Sequence, residues 1–161
     1  MNKFKSFIIV LIAAILQNTL FSNINIMGAN IDIILPLIIV LSQILGQNIG
    51  AYNGLFAGFI EDLLFSNILG VHALSYFLIG YIVADKKFHI FNGKRNGAIT
   101  TFIATFINIL IVGVLYYIFM KESILSMLSY SIIIEAFLNS LIYLLYYKFI
   151  KKIMYIPTYR I

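Results

Sequence analysis

Apolar residues fall into six blocks, at residues 6–21, 33–45, 48–65, 71–84, 97–120 and 124–150, separated by short polar or charged interruptions. Such blocks read as membrane-spanning helices, for which a full crossing takes about 20 residues; several here are shorter. The stretch 33–65 carries no charge before Glu61 and could be taken as one helix. At about 1.5 Å per residue that helix would reach roughly 50 Å, far beyond a bilayer core of about 30 Å. Gly46-Gln47-Asn48 is therefore read as a tight turn between two spans. Pro36 falls in the first turns of the second span, where a missing N–H disturbs little.

The charges test that choice independently, because each added span moves everything after it to the other side of the membrane. Six spans with a cytoplasmic N-terminus put Lys3, Lys5, Lys86, Lys87, Lys94, Arg95, Lys148, Lys151, Lys152 and Arg160 inside, and leave Lys121 outside. Were residues 33–65 one span, the basic cluster at 86–95 would lie outside, against the positive-inside rule. Lys3 and Lys5 before an apolar run have the layout of a secretory signal, but no small-x-small cleavage site follows, so the run is read as an uncleaved first span.

Composition makes lipid the expected solvent. Of 161 residues, 62% are hydrophobic and 11% charged, with a mean hydropathy of +1.01, where a soluble domain carries about 25% charged residues. The expected fold is an all-α polytopic membrane helix bundle with about six transmembrane helices, a single integral membrane domain over residues 1–161. The net charge of +5 does not indicate nucleic acid, because the basic residues sit at the ends of apolar segments; they orient the chain and touch anionic lipid. The chain has no cysteine, which excludes disulfides, thiolate metal sites and a cysteine nucleophile. The frequent Ile, Asn and Lys fit an AT-rich bacterial genome.

Gly46, Gly50, Gly54 and Gly58 recur every four residues and form a ridge along the third span, with Ala57 beside it. Such ridges let helix backbones approach closely, either inside the protein, the simpler reading, or against a partner's membrane helix. Asp62 continues the ridge at the outer end of that span, with Glu61 about 100° away around the helix. His72 opens the fourth span a short loop later, where it is read as a solvated interfacial group in preference to a partner of Asp62. Glu135 is expected near mid-membrane, where a charge costs about 2.5 to 3.5 kcal/mol, so it should be neutral or partnered. Folding spans five and six about Lys121-Glu122 brings Asn108 level with Glu135 and Thr105 level with Asn139. Thr101, Thr105 and Asn108 line one face, and Ser131, Glu135, Asn139 and Tyr143 the other, suggesting an interhelical hydrogen-bond ladder.

Nothing in the chain points to hydrolysis or group transfer, and no cofactor is expected. The glycines are too widely spaced for a nucleotide loop and no Lys-Ser or Lys-Thr follows them. His72 and His89 fall on opposite sides of the membrane, so they do not form a metal pair, and no serine or aspartate dyad of a membrane protease is present.

From residue 30 to residue 84 the chain resembles the MreD family of rod-shape-determining proteins, whose length and six-span hydropathy it shares. The residues that carry the likeness are Asp32-Ile33-Ile34-Leu35-Pro36, then Gly50, Gly54 and Gly58 with Asp62-Leu63-Leu64, then Leu69-Gly70-Val71-His72-Ala73-Leu74 and Ile79-Gly80-Tyr81. The resemblance implies a nonenzymatic subunit of the bacterial cell-elongation machinery in the inner (plasma) membrane, with both termini cytoplasmic. It implies work with MreC, the actin-like MreB and the sidewall peptidoglycan synthases, and no nucleic acid. The family also resembles in fold the substrate-binding subunits of energy-coupling-factor vitamin transporters, which gives the alternative of a small-molecule-binding transporter subunit. Those subunits carry alanine-x-x-x-alanine in the first span; this chain has Ala13-Ala14.

Overall fold

Gly46 is where the long apolar run breaks. Its backbone takes φ 101° and ψ 167°, a conformation open to glycine and costly for residues with a Cβ, and its N–H donates to the Ser42 carbonyl at 2.9 Å. The break yields α2 (Ile34–Leu45) and α3 (Gln47–Phe65), the two-helix reading that length and charge favoured. Gly46 is thus the turn itself and not the first step of the glycine ridge.

The computed structural model describes residues 2–21, 24–26, 28–84, 94–121 and 130–154. The remaining helices are α1 (Asn2–Leu16), which runs into a π-helical turn at Gln17–Phe21, α4 (Val71–Ile82), α5 (Lys94–Met120) and α6 (Ser131–Ile153). A two-residue antiparallel pair, β1 (Asn25–Ile26) with β2 (Ala29–Asn30), sits between α1 and α2. Lys86, Lys87, His89, Glu122, Pro157 and Arg160 lie outside the described residues, as do positions 124–129 of the expected sixth span.

The chain is a helix bundle wound around α2, which touches all five other helices and is buried continuously from Ile34 to Ser42. Twelve residues make a helix of only about 18 Å, too short to cross the hydrocarbon alone. Surrounded by protein, its ends need not reach the lipid surface, since irregular backbone at membrane depth is tolerated where protein or a water-filled cavity covers it. Among the described residues, three helical stretches are long and apolar enough to cross: Lys3–Leu20, Asn96–Met120 and Ser131–Ile153. Their outward faces carry Ile12, Ile15, Ile103, Leu110, Phe137 and Leu145, all exposed, as expected where lipid is the solvent.

The glycines of α3 serve the contact with α4. A Cβ on Gly54 would run into the Tyr76 carbonyl, and one on Gly58 into the backbone of His72 and Ala73. From the other side, a Cβ on Gly80 would meet the Gly50 carbonyl oxygen at 2.7 Å. The two helices therefore run antiparallel with backbones in contact, and the ridge is consumed inside the protein. Gly50 also faces Ser42 of α2, whose hydroxyl donates to the Gly80 carbonyl and so ties three helices at one point. On the opposite flank, α1 is pinned to α3 by Asn53, whose Nδ2 donates to Ser6 Oγ at 3.0 Å, and by stacking of Phe7 on Phe56.

Candidate functional site

The first N–H groups of a helix have no partner within it, and those of α4 are satisfied from another helix. Asp62, one turn beyond Gly58 on α3, accepts from Gly70 N–H at 2.9 Å and Ala73 N–H at 3.0 Å with Oδ2. Its Oδ1 accepts from His72 N–H at 3.1 Å and meets His72 Nδ1 at 2.8 Å. A carboxylate suits this post because it offers two acceptor oxygens and because negative charge is favoured at a helix N-terminus. Asp62 is 1% exposed, whereas the His72 side chain keeps 22% of its surface. Of the two sequence readings for His72, the structure shows the Asp62 contact. Gly70 stands in the left-handed region at φ 101° with open space beside it, which lets the chain turn sharply into α4.

Asp32 does the same for α2, accepting from Ile34 N–H at 2.8 Å and Leu35 N–H at 3.1 Å. Burial holds its carboxyl above the ordinary value, and those two N–H groups only partly oppose that. Gln17 fastens the end of α1 to the same segment, its Nε2 donating to the Ile31 carbonyl at 2.8 Å and its Oε1 accepting from Ile33 N–H at 2.9 Å. The aspartates of the two motifs that opened the family likeness are therefore both helix caps.

Between these caps lies a cavity of about 330 Å³. Three carboxylates face it from three segments: Asp32 before α2, Glu61 on α3 and Glu135 on α6. Tyr76 and Asn108 stand beside them, and Gln17, Asn18 and Asn30 add further polar lining. Tyr76 donates its hydroxyl to Asp32 Oδ2 at 3.3 Å. Glu61 Oε2 is buried without a hydrogen-bond partner. Ile31, Ile109 and Val112 supply an apolar wall.

Two sequence expectations for spans five and six are corrected here. Glu135 was expected near mid-membrane, yet α6 begins at Ser131, which puts it in the second turn of that helix. Asn108 and Glu135 both line the cavity, but no hydrogen bond joins them among the described residues. Asn108 Oδ1 accepts instead from Ser75 Oγ on α4 at 2.5 Å. Lower in the bundle the ladder exists: Asn139 Nδ2 donates to Thr105 Oγ1 at 3.2 Å, and Ser140 Oγ donates to the Ala98 carbonyl at 3.0 Å. Tyr143, on the same stripe, reaches α2, donating to Gln43 Oε1 at 2.5 Å. Asn139→Leu is expected to cost only about 0.6 kcal/mol, the ordinary value of one interhelical hydrogen bond in a membrane. Comparing its melting temperature in detergent with that of the parent protein checks this.

The sequence reading did not single out Asp32 or Glu61 for a cavity, or Gln17, Ser75 and Tyr76 at all. Helical periodicity could have placed Tyr76, which lies one turn after His72 on α4. Gln17 and Asp32 meet through a nonlocal turn that no periodicity reveals.

Compared with known families, residues 1–153 match the family model described as MreD, rod shape-determining protein MreD. No curated protein and no solved structure gives a significant match.

Proposed function

The chain belongs to the MreD family of rod-shape-determining membrane proteins, and on that premise we propose that it is a scaffold, a multi-pass subunit that holds MreC and the sidewall peptidoglycan synthesis machinery at the cytoplasmic membrane. The observation that carries the reading is the extent of the family match, which covers 153 residues from Met1 and so takes in the second half of the chain, where the motif likeness was thin. Architecture supports it. The buried polar groups Asp62, Ser42, Asn53 and Asn139 are spent on joining helices, which suits a rigid platform, while the exposed faces of α1, α5 and α6 are apolar and available to lipid or to partner helices.

The topology that goes with this role has six crossings and both termini in the cytoplasm. It keeps ten of the eleven basic residues inside, leaving Lys121 outside, in line with the positive-inside rule. Actin-like MreB would then meet the complex from the cytoplasmic side and the synthases from within or beyond the membrane.

Two measurements on one strain test the proposal. Depletion from a rod-shaped host is expected to give rounded cells, and MreC is expected to copurify with the tagged protein in mild detergent. Because the chain has no native cysteine, single cysteines report topology without background. In intact cells a membrane-impermeant maleimide should label Lys121→Cys and spare Asn92→Cys. Rod-shaped depleted cells that retain a vitamin on the purified protein would instead favour the transporter reading.

A further inference from the structure

We propose that the cavity between Asp32, Glu61 and Glu135 is a binding site for a small organic cation, an amine or guanidine with a modest apolar body. The proposal goes beyond the scaffold role and does not depend on it.

Charge is the first ground. His72 also lines the cavity, but its Nδ1 is engaged by Asp62 at 2.8 Å. Asp32, Glu61 and Glu135 remain, and no lysine or arginine lines the cavity among the described residues. Like-charged carboxylates around a common space destabilise one another and take up protons unless an opposite charge stands within about 4–6 Å. An ammonium or guanidinium placed among them supplies the missing charge together with several N–H donors.

Unfilled hydrogen-bonding capacity is the second ground and is independent of charge. Glu61 Oε2 is buried at this cavity with no partner, an arrangement that costs free energy unless a donor arrives. Tyr76, 1% exposed, donates its hydroxyl to Asp32. The lining carries the amide N–H groups of Asn18, Asn30 and Asn108 as well as acceptors, and it is the three carboxyl groups that disfavour a carboxylate or phosphate ligand.

Size and shape are the third. A volume of about 330 Å³ lies at the lower end of small-molecule pockets, which run from about 300 to 1,000 Å³. The site is far larger than a bare ion needs. Ile31, Ile109 and Val112 form a wall for an apolar body, and ionisable residues within a helix bundle commonly mark ligand or ion pathways.

The test uses the full chain in nonionic detergent and mildly alkaline potassium buffer, with thermal unfolding and calorimetric titration as readouts. Tyramine, its neutral analogue tyrosol and its acidic analogue 4-hydroxyphenylacetate share one ring and differ in charge; agmatine and methylammonium vary the size of the cation. Saturable stabilisation by tyramine or agmatine is expected, with tyrosol at least about tenfold weaker and the acid inactive. A hydrogen bond to a charged group is strong enough that losing one weakens affinity by about tenfold or more, so Glu61→Gln and Glu135→Gln should each weaken amine binding by at least about that much. Without amine, both variants should melt at or above the parent temperature, because a buried carboxylate becomes a neutral amide. Asp32 is left intact because it caps α2. Equal binding of tyrosol and tyramine, amine binding indifferent to both variants, no saturable response to any of the three amines, or stabilisation by sodium alone would each overturn the proposal.

Discussion

Asp62→Ala is expected to destabilise the folded protein by on the order of 3–5 kcal/mol, the range seen when one partner of a buried charged pair is removed. The carboxylate accepts from three backbone N–H groups and contacts the His72 ring, and it is 1% exposed, so water does not readily replace it. Each buried donor left unsatisfied costs about 1–3 kcal/mol, and the contacts act together, so their penalties do not simply add. Asp62→Asn keeps the shape but offers one acceptor oxygen where two are needed, and should fall between alanine and the parent. His72→Ala should cost about 1 kcal/mol, the net value of a typical hydrogen bond, since the His72 backbone N–H still reaches Asp62. Fluorescence-monitored size exclusion after graded heating gives the order of the three variants. Equal loss for His72→Ala and Asp62→Ala would mean that the ion pair, and not the cap, holds α4 in place.

What could be read along the chain was what repeats along the chain. The boundaries of α2 and α3 followed from length and charge, and Gly50, Gly54 and Gly58 announced a close helix contact through their spacing. Asp62 stood in line with them, and its reach to His72 required only a short loop. The cavity was a different matter. Its walls come from α3, α4, α5 and α6 together with the ends of α1 and the loop before α2, and no single periodicity links Gln17, Asp32, Glu61 and Glu135. Register between α5 and α6 was legible enough to bring Asn139 to Thr105, whereas the partner of Asn108 lies on α4, which a two-helix comparison leaves out. The start of α6 escaped for a related reason, since hydropathy responds to composition and not to where helical hydrogen bonds begin.

Gly54→Val should rank with Asp62→Ala among the most damaging single changes in the bundle. A Cβ at this position would meet the carbonyl of Tyr76, then its carbonyl carbon at 2.7 Å and the Phe77 nitrogen at 3.2 Å. All three atoms are backbone, so no rotamer change can make room, and α4 must move away bodily. Overpacking in a fitted core costs about 1–3 kcal/mol even where side chains can adjust, so about 3 kcal/mol or more is expected here. The displacement would also pull Ala73 and Gly70 from Asp62, because the glycine contact and the cap hold the same helix against the same neighbour. Gly70→Ala is the contrast: nothing lies within 4 Å of a Cβ there, and the penalty is the backbone strain of a left-handed residue, about 1–2 kcal/mol. Heat stability in detergent should therefore fall more for Gly54→Val than for Gly70→Ala. Amide exchange in Gly54→Val should rise first at the N-terminal turn of α4, where the N–H groups have only Asp62 to hold them; exchange confined to α3 would show that the two contacts are uncoupled.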